Sequence, residues 1–150
     1  MDKKDLKILE LLQQDATLNA TQIADRVGLS KTPCWRRIQI LEREGFIKKR
    51  VALLDREKLN REMDVFVTIR TNQHNASWFR RFSSVVASLP EVVEFYRMSG
   101  DIDYLLRVVV RDMKAYDRFY QMLIEKIDIS DVSSNFSMEQ IKYTTAIPLD

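Results

Sequence analysis

Three neighbouring side chains can recognise the edge of a base pair. Arg36 and Arg37 each carry a guanidinium that can make two hydrogen bonds to guanine, and the amide of Gln39 can do the same with adenine. Trp35 lies beside the arginines, and an indole on a charged surface favours contact with a sugar, a base or a partner. These residues predict a surface that binds double-stranded DNA. A solvated helix face, or an indole packed against the N-terminal helix, is the alternative.

Two helices around a turn must position these side chains. Asn19 can cap the first helix together with Gln22, and Gly28 ends that helix. Ser30 can cap the second helix, which runs to Glu44 before Gly45 ends it. A helix, a short glycine-containing turn and a second helix form the helix-turn-helix pattern, whose second helix lies in the major groove.

The second helix separates an apolar side from a polar side. Cys34, Ile38 and Leu41 form one apolar seam that can pack against the preceding helices. A basic triplet at residues 48–50 follows the helix, where it either contacts phosphates or protects a strand edge. The residues predicted to bind DNA are Ser30, Lys31, Thr32, Trp35, Arg36, Arg37, Gln39, Lys48, Lys49 and Arg50.

An N-terminal helix completes a small three-helix core. Asp2 and Asp5 favour the first turn of this helix, and leucine and isoleucine residues follow at helical spacing. Residues 46–47 and 51–54 predict a two-stranded wing, or the strand that leads out of the domain. Residues 1–60 are therefore predicted to form a winged helix-turn-helix domain with its connector.

Residues 61–150 alternate between strand and helix periodicity. Helical patterns follow Asn75 and Asp112. The strand patterns span residues 65–69, 92–98, 104–110 and 132–143. The resulting order, βαββαβ, predicts a ferredoxin-like domain in which both helices cover one face of a four-stranded antiparallel sheet. The predicted fold class is therefore α+β.

The third predicted strand is apolar on both of its sides. Leu105 and Val109 alternate with Leu106 and Val108, so one apolar set faces away from the helices. Further apolar residues in the preceding strand are Phe95, Tyr96 and Met98. A contiguous exposed patch usually marks an association surface, so we expect a homodimer that pairs through the sheets. Such a dimer presents two recognition helices to an inverted repeat.

Composition favours a folded protein with a basic N-terminal part. The chain has 150 residues and a net charge of +2. Residues 1–60 contain 13 Lys and Arg and 9 Asp and Glu, a net +4, so residues 61–150 carry −2. We expect a cytoplasmic location, because the sequence contains neither a signal peptide nor an apolar run of the ~20 residues that span a bilayer.

Catalytic and metal-binding constellations are not evident. His74 is the only histidine and Cys34 the only cysteine, which excludes an internal disulfide and a structural zinc site. Asp101 and Asp103 need a third group before a catalytic role becomes credible. Since no nucleotide-binding, nucleophile-elbow or zinc-protease motif appears, we expect neither an enzyme nor a cofactor. A sensor that acts on protein partners alone, or an RNA-binding domain, remains as an alternative.

Five segments together resemble the Lrp/AsnC family, also called the feast/famine regulators. They are DKKDLKILELLQ, VGLSKTPCWRRIQILEREGFI, VALLD, SGDIDYLLRVVVRDMKAYDRF and SSNFSMEQIKYTT, and they span essentially the whole chain. The resemblance implies a transcription regulator whose second domain senses an amino acid and dimerises, with dimers that often assemble into octamers. The PCWRR and EQIKYTT segments most resemble a branch that controls cysteine detoxification, which makes cysteine a candidate effector.

The resemblance also implies an effector site near the turn before the third strand and on the last strand. By position, its residues are Met98, Gly100, Asp101, Asp103, Tyr104, Ser134 and Phe136. A carboxylate can bind an ammonium group, and the N–H groups of a glycine-containing turn can bind a carboxylate. The alternative is that Gly100 and Asp101 only form the hairpin turn while Asp103 holds the backbone.

Overall fold

The computed structural model describes residues 1–149, and these divide into two compact units. Unit 1 contains residues 1–53 together with the C-terminal segment from residue 141, and unit 2 contains residues 54–140. The division into functional domains near residue 61 stays a prediction. Within the described residues, no helix is long and apolar enough to cross a membrane.

Unit 1 is built on three helices, α1 (Lys3–Gln14), α2 (Ala20–Val27) and α3 (Lys31–Arg43). The caps form largely as the sequence predicts, with reciprocal capping boxes at the starts of α1 and α2. Gly28 and Gly45 take positive φ angles of 65° and 80° after α2 and α3, which glycine adopts without strain. The core of unit 1 consists of Ile8, Leu12, Leu18, Ile23, Ala24, Val27, Cys34, Ile38 and Leu41.

Two sequence-based predictions about unit 1 need correction. Ser30 is the N-cap residue of α3, but its side chain makes no capping hydrogen bond. Among the described residues, 44–62 contain no strand, so the wing strands expected there do not form within this single chain. Val51 and Leu53, which the wing was expected to contain, are exposed.

Unit 2 has the predicted order of strands and helices. The elements are β1 (Met63–Arg70), α4 (Ala76–Ala87), β2 (Val92–Arg97), β3 (Tyr104–Val110), α5 (Met113–Lys126) and β4 (Asp131–Phe136). The four strands form one antiparallel sheet in the order β2-β3-β1-β4. This confirms the ferredoxin-like fold, although β4 ends at Phe136 and not at Tyr143. β4 cannot extend to Tyr143, because β1 begins at Met63. The pairing of the two strands ends where Val65 of β1 lies opposite Phe136 of β4.

Both helices of unit 2 pack on the same face of the sheet. Val67 and Leu106 on that face are fully buried, as are Phe82 of α4 and Phe119 and Leu123 of α5. The other face is mixed: Phe66 and Tyr96 are exposed, and Leu105 and Val109 are partly buried. At its centre, Arg107 forms ion pairs of 2.9 Å with both Asp64 and Glu94.

Phe95 lies on the covered face, contrary to the sequence-based prediction that it adds to the exposed patch. Its ring meets Phe82 edge to face at 5.4 Å and lies 5.9 Å from Tyr104. The pairing register shifts between Val92 and Glu94, as expected for a β-bulge. Phe95 and Tyr96 are neighbours in β2 and face opposite sides of the sheet, so of the two only Tyr96 lies on the uncovered face.

Candidate functional site

Helix α3 has one buried and one exposed side, as its sequence predicts. Cys34, Ile38 and Leu41 are buried against α1 and α2. The exposed side carries Lys31, Thr32, Trp35, Arg36 and Gln39, and Ser30 precedes it. Trp35 is 53% exposed and lies outside the three-helix core.

The predicted DNA-binding residues differ in the contacts that they make within the chain. Arg37 forms two ion pairs of 2.7 Å with Asp2 and Asp5 at the start of α1. Hydrogen bonds to these two carboxylates, the one to Asp5 first, raise the pKa of the Arg37 guanidinium. Arg37 is therefore held by two carboxylates of α1, whereas Arg36 is exposed on the polar side of α3.

A smaller cluster forms around Glu42 near the end of α3. The Gln39 amide donates to Glu42 Oε2 at 3.2 Å, and Arg50 Nη2 lies 2.9 Å from Glu42 Oε1. Lys48 and Lys49 are exposed next to Arg50. Glu42 therefore orients one end of the basic triplet toward α3, a role that helical spacing alone did not reveal.

Cys34 is a packed thiol within α3. Burial raises the pKa of this thiol, although the nearby charge of Arg37 acts in the opposite direction. The neutral form is therefore favoured, as for a small core side chain.

The turn between β2 and β3 contains one anchored aspartate. Asp103 Oδ2 accepts a hydrogen bond of 2.8 Å from the Thr71 backbone N–H, and the Asp103 N–H donates to the Ile69 carbonyl at 2.9 Å. Its side chain thus holds the backbone, as the structural alternative predicts. Gly100, at φ 106°, and Asp101 are exposed in the turn itself.

Tyr104 is a core residue and also lines a pocket beside the turn between β2 and β3. Its ring lies 4.7 Å from Phe82 and 6.0 Å from Phe79, and burial raises the pKa of its phenol. Together with Met98 and Asp103 it lines a pocket of about 370 Å³. The other lining residues are Gln73, His74, Asn75, Ala76, Phe79 and Arg97. Sequence reasoning assigned neither Arg97 nor His74 to this site, because periodicity does not show which side chains meet in one pocket.

Ser134 and Phe136 line a different pocket, of about 410 Å³, beside α5. The Ser134 and Tyr116 hydroxyls are hydrogen-bonded to each other, and the rings of Tyr116 and Phe136 meet edge to face at 5.2 Å. The remaining lining residues are Met113, Asp117, Tyr120 and Val132. Within one chain, the predicted effector residues therefore fall into two groups. The structure contains no cluster of three or more metal-ligating side chains among its described residues.

Comparison with known proteins gives both units a family. The model for winged helix-turn-helix DNA-binding domains matches residues 1–48, and the model for the Lrp/AsnC ligand-binding domain matches residues 64–147. The chain belongs to the Lrp/AsnC family. A family member of this kind is a DNA-binding transcriptional regulator with an amino-acid-binding domain, and it is not an enzyme.

Relatives of this Lrp/AsnC regulator match along its whole length. The DNA-binding transcriptional activator DecR of Escherichia coli is 50% identical over 100% of this chain and 99% of its own. The glutamate uptake regulatory protein of Zymomonas mobilis is 47% identical over 99% of this chain and 91% of its own.

Solved structures of the family agree with the fold. An AsnC family transcriptional regulator from Agrobacterium tumefaciens is 62% identical, with a TM-score of 0.96 over 99% of this chain and 97% of that one. A transcriptional regulator from Neisseria meningitidis, solved in complex with L-methionine, is 33% identical, with a TM-score of 0.95 over 100% of this chain and 97% of that one.

Proposed function

We propose that this Lrp/AsnC regulator binds a specific operator through the exposed side of α3 and that a small amino acid alters this binding. One observation carries the proposal: an exposed indole, an arginine and an amide lie opposite the buried seam of the same helix. In a helix-turn-helix protein, that side of the second helix meets base edges in the major groove.

The residues on this side have different proposed roles. Arg36 and Gln39 contact base edges, because their side chains can make paired hydrogen bonds to guanine and adenine. Trp35 packs on the sugar-phosphate backbone. Ser30, Lys31 and Thr32 lie at the start of α3, the part of the helix that meets base edges in the major groove. Lys48, Lys49 and Arg50 contact phosphates and supply the sequence-independent part of the affinity.

We further propose that the active species is a homodimer, or a higher oligomer such as an octamer built from dimers. Support comes from the uncovered face of the sheet, where Phe66 and Tyr96 are 38% and 49% exposed. Val51, Leu53 and Leu54 in the connector are also at least 59% exposed. Apolar side chains that a single chain leaves in water favour association.

The effector we propose is a small amino acid, with cysteine as the first candidate. Asp101 is exposed and available to the ammonium group, and Arg97 in the adjoining pocket has the charge to bind the carboxylate. The pocket volume of about 370 Å³ lies at the lower end of the range for small-ligand sites. Met98, Gly100 and Tyr104 complete this group, while Ser134 and Phe136 act from the second pocket.

The proposed mechanism is a shift in assembly. An effector changes DNA affinity only if it binds two arrangements of the protein with different affinities, so the operator must change effector affinity by the same factor. This reciprocity separates a true effector from a compound that merely binds.

The test is a binding titration of the full chain against two duplexes, one covering its own upstream region and one scrambled. Several salt concentrations and a panel containing cysteine, methionine and glutamate complete the design. We expect preference for the upstream duplex and a change with one amino acid. Arg36→Ala should weaken specific binding by about 1–3 kcal/mol. Equal affinity for both duplexes would contradict an operator-specific function.

A further inference from the structure

We infer that Arg37 positions the recognition helix by binding the start of α1 and does not itself read DNA. This inference rests on the proposed function, because operator binding is one of its readouts. It replaces the direct DNA contact that the sequence predicts for this residue.

A single nitrogen of Arg37 binds two carboxylates. Nη1 lies 2.7 Å from Asp2 Oδ2 and 2.7 Å from Asp5 Oδ1. The side chains of Arg37 and Asp5 are 32% and 15% exposed, whereas that of Asp2 is 53% exposed. The charge-assisted hydrogen bond to Asp5 lies in a partly buried position and is therefore the stronger of the two.

The same two carboxylates also begin α1. Asp2 Oδ1 accepts the backbone N–H groups of Lys4 at 2.8 Å and Asp5 at 3.0 Å, while Asp5 Oδ2 accepts the Asp2 N–H at 2.8 Å. Each carboxylate therefore uses one oxygen for the helix cap and the other for Arg37. The start of α1 and the orientation of α3 are thus fixed by one network.

Lys4 extends this network to the helix-turn-helix turn. Its Nζ donates to the carbonyls of Val27 and Gly28, at the end of α2. A cation at this place also interacts favourably with the helix dipole. The first turn of α1 therefore contacts the end of α2 through Lys4 and the middle of α3 through Arg37, and it can hold α3 at a defined angle.

The two roles for Arg37 predict opposite effects of removing its partners. If Arg37 read a base, Asp2→Asn and Asp5→Asn would release it and remove two negative charges, so binding would tighten. If Arg37 positions α3, the same substitutions loosen α3 and weaken specific binding. Asparagine is as good an N-cap residue as aspartate, so α1 keeps its start in these variants.

The experiment measures operator and scrambled-duplex binding of the full chain for wild type, Arg37→Gln, the Asp2→Asn/Asp5→Asn double variant and the triple variant. For coupled residues we expect the affinity for the operator to fall about tenfold in Arg37→Gln and about tenfold in the double aspartate variant. The triple variant should show little further loss. Arg37→Lys should retain most of the affinity, because one ammonium nitrogen can replace Nη1. The matched controls are Glu10→Gln and Lys7→Gln, which change the charge at exposed positions of α1.

Tighter operator binding by the double aspartate variant would overturn the inference, and so would a further tenfold loss in the triple variant. A second double-mutant cycle, Arg37→Gln with Asp5→Asn in urea unfolding, needs no DNA; absence of coupling there would also overturn it. Failure of the proposed function gives a different result, since the wild type itself would not distinguish the two duplexes.

Discussion

Gln13 binds the backbone of Ile147 through both ends of its side-chain amide. Gln13 Nε2 donates to the Ile147 carbonyl at 2.9 Å, and the Ile147 N–H donates to Gln13 Oε1 at 3.0 Å. The Gln13 amide thus satisfies both backbone hydrogen-bonding groups of Ile147. This pair ties the C-terminal segment to α1 within unit 1.

Replacing this glutamine should loosen the C-terminal segment. We expect Gln13→Ala to lower the free energy of unfolding by about 1 kcal/mol, since two hydrogen bonds at a partly exposed position are lost. Gln14→Ala is the matched control, because it makes the same change at an exposed neighbouring position. Urea unfolding of both variants tests this, and equal stability would contradict it.

Asp2 should make stability depend on pH in the acid range. The Asp5 N–H and then the Arg37 guanidinium lower the pKa of Asp2 from 3.8 to about 2. A lowered pKa stabilises the folded state above pH ~4, and this contribution is lost as the pH falls toward 2. Wild type should therefore be more stable than Asp2→Asn at pH 6, and the difference should shrink as the pH falls from about 4 to about 2. Urea unfolding across this range measures the difference, and a difference that does not change with pH would be the contrary result.

Neighbouring positions of α5 should respond very differently to truncation. Leu123 is fully buried against the sheet, whereas Ile124 is 40% exposed. Leu123→Ala should lower the free energy of unfolding of unit 2 by about 2–5 kcal/mol, through lost burial and a cavity. Ile124→Ala should cost about 1 kcal/mol or less. A large effect at Ile124 in the assembled protein would instead indicate that an oligomer contact covers it.

The two tryptophans should report on different parts of the protein. Trp78 stacks on Phe82 at 4.8 Å and donates to the Asp128 carbonyl at 3.2 Å, whereas Trp35 is exposed. Acrylamide should quench Trp35 strongly in Trp78→Phe, and operator DNA should protect it. In Trp35→Phe, the remaining Trp78 should be insensitive to DNA. Lack of protection at Trp35 would argue against its proposed contact with the sugar-phosphate backbone.

Asp101 and Asp103, in the turn between β2 and β3, should affect different properties of the protein. Asp103→Ala removes the bond to the Thr71 N–H and should lower the free energy of unfolding by about 1.5–3 kcal/mol, as for hydrogen bonds to charged groups. Asp101 is exposed, so Asp101→Ala should leave stability unchanged while abolishing the proposed response to the amino acid. Thermal unfolding and operator titration with effector distinguish the two, and an intact response in Asp101→Ala would remove this residue from the site.

The element order of both units follows from local patterns in the sequence. Capping residues such as Asn19, Asn75 and Asp112 and the glycines after α2 and α3 act within one turn, so their effect is readable from neighbouring residues. The exposure of Trp35 follows from helical spacing in the same way.

Other features depend on contacts that local patterns do not contain. The face on which Phe95 lies depends on the bulge after Val92, and the end of β4 depends on where β1 begins. The ion pairs of Arg37 join residues 32 and 35 positions apart. Helical spacing grouped this arginine with the DNA-binding residues, but it did not reveal that two carboxylates of α1 were beside it.

The return of the chain from residue 141 to the helix-turn-helix unit has a consequence for biosynthesis. Residues 54–140 interrupt that unit in the sequence, so the ribosome makes the whole sheet unit before the segment that contains Ile147. Domains generally fold as they emerge, with the N-terminal part first. The three helices of unit 1 emerge first, but the C-terminal segment that contacts them is translated only after the sheet. Unit 1 therefore completes its contacts later than unit 2.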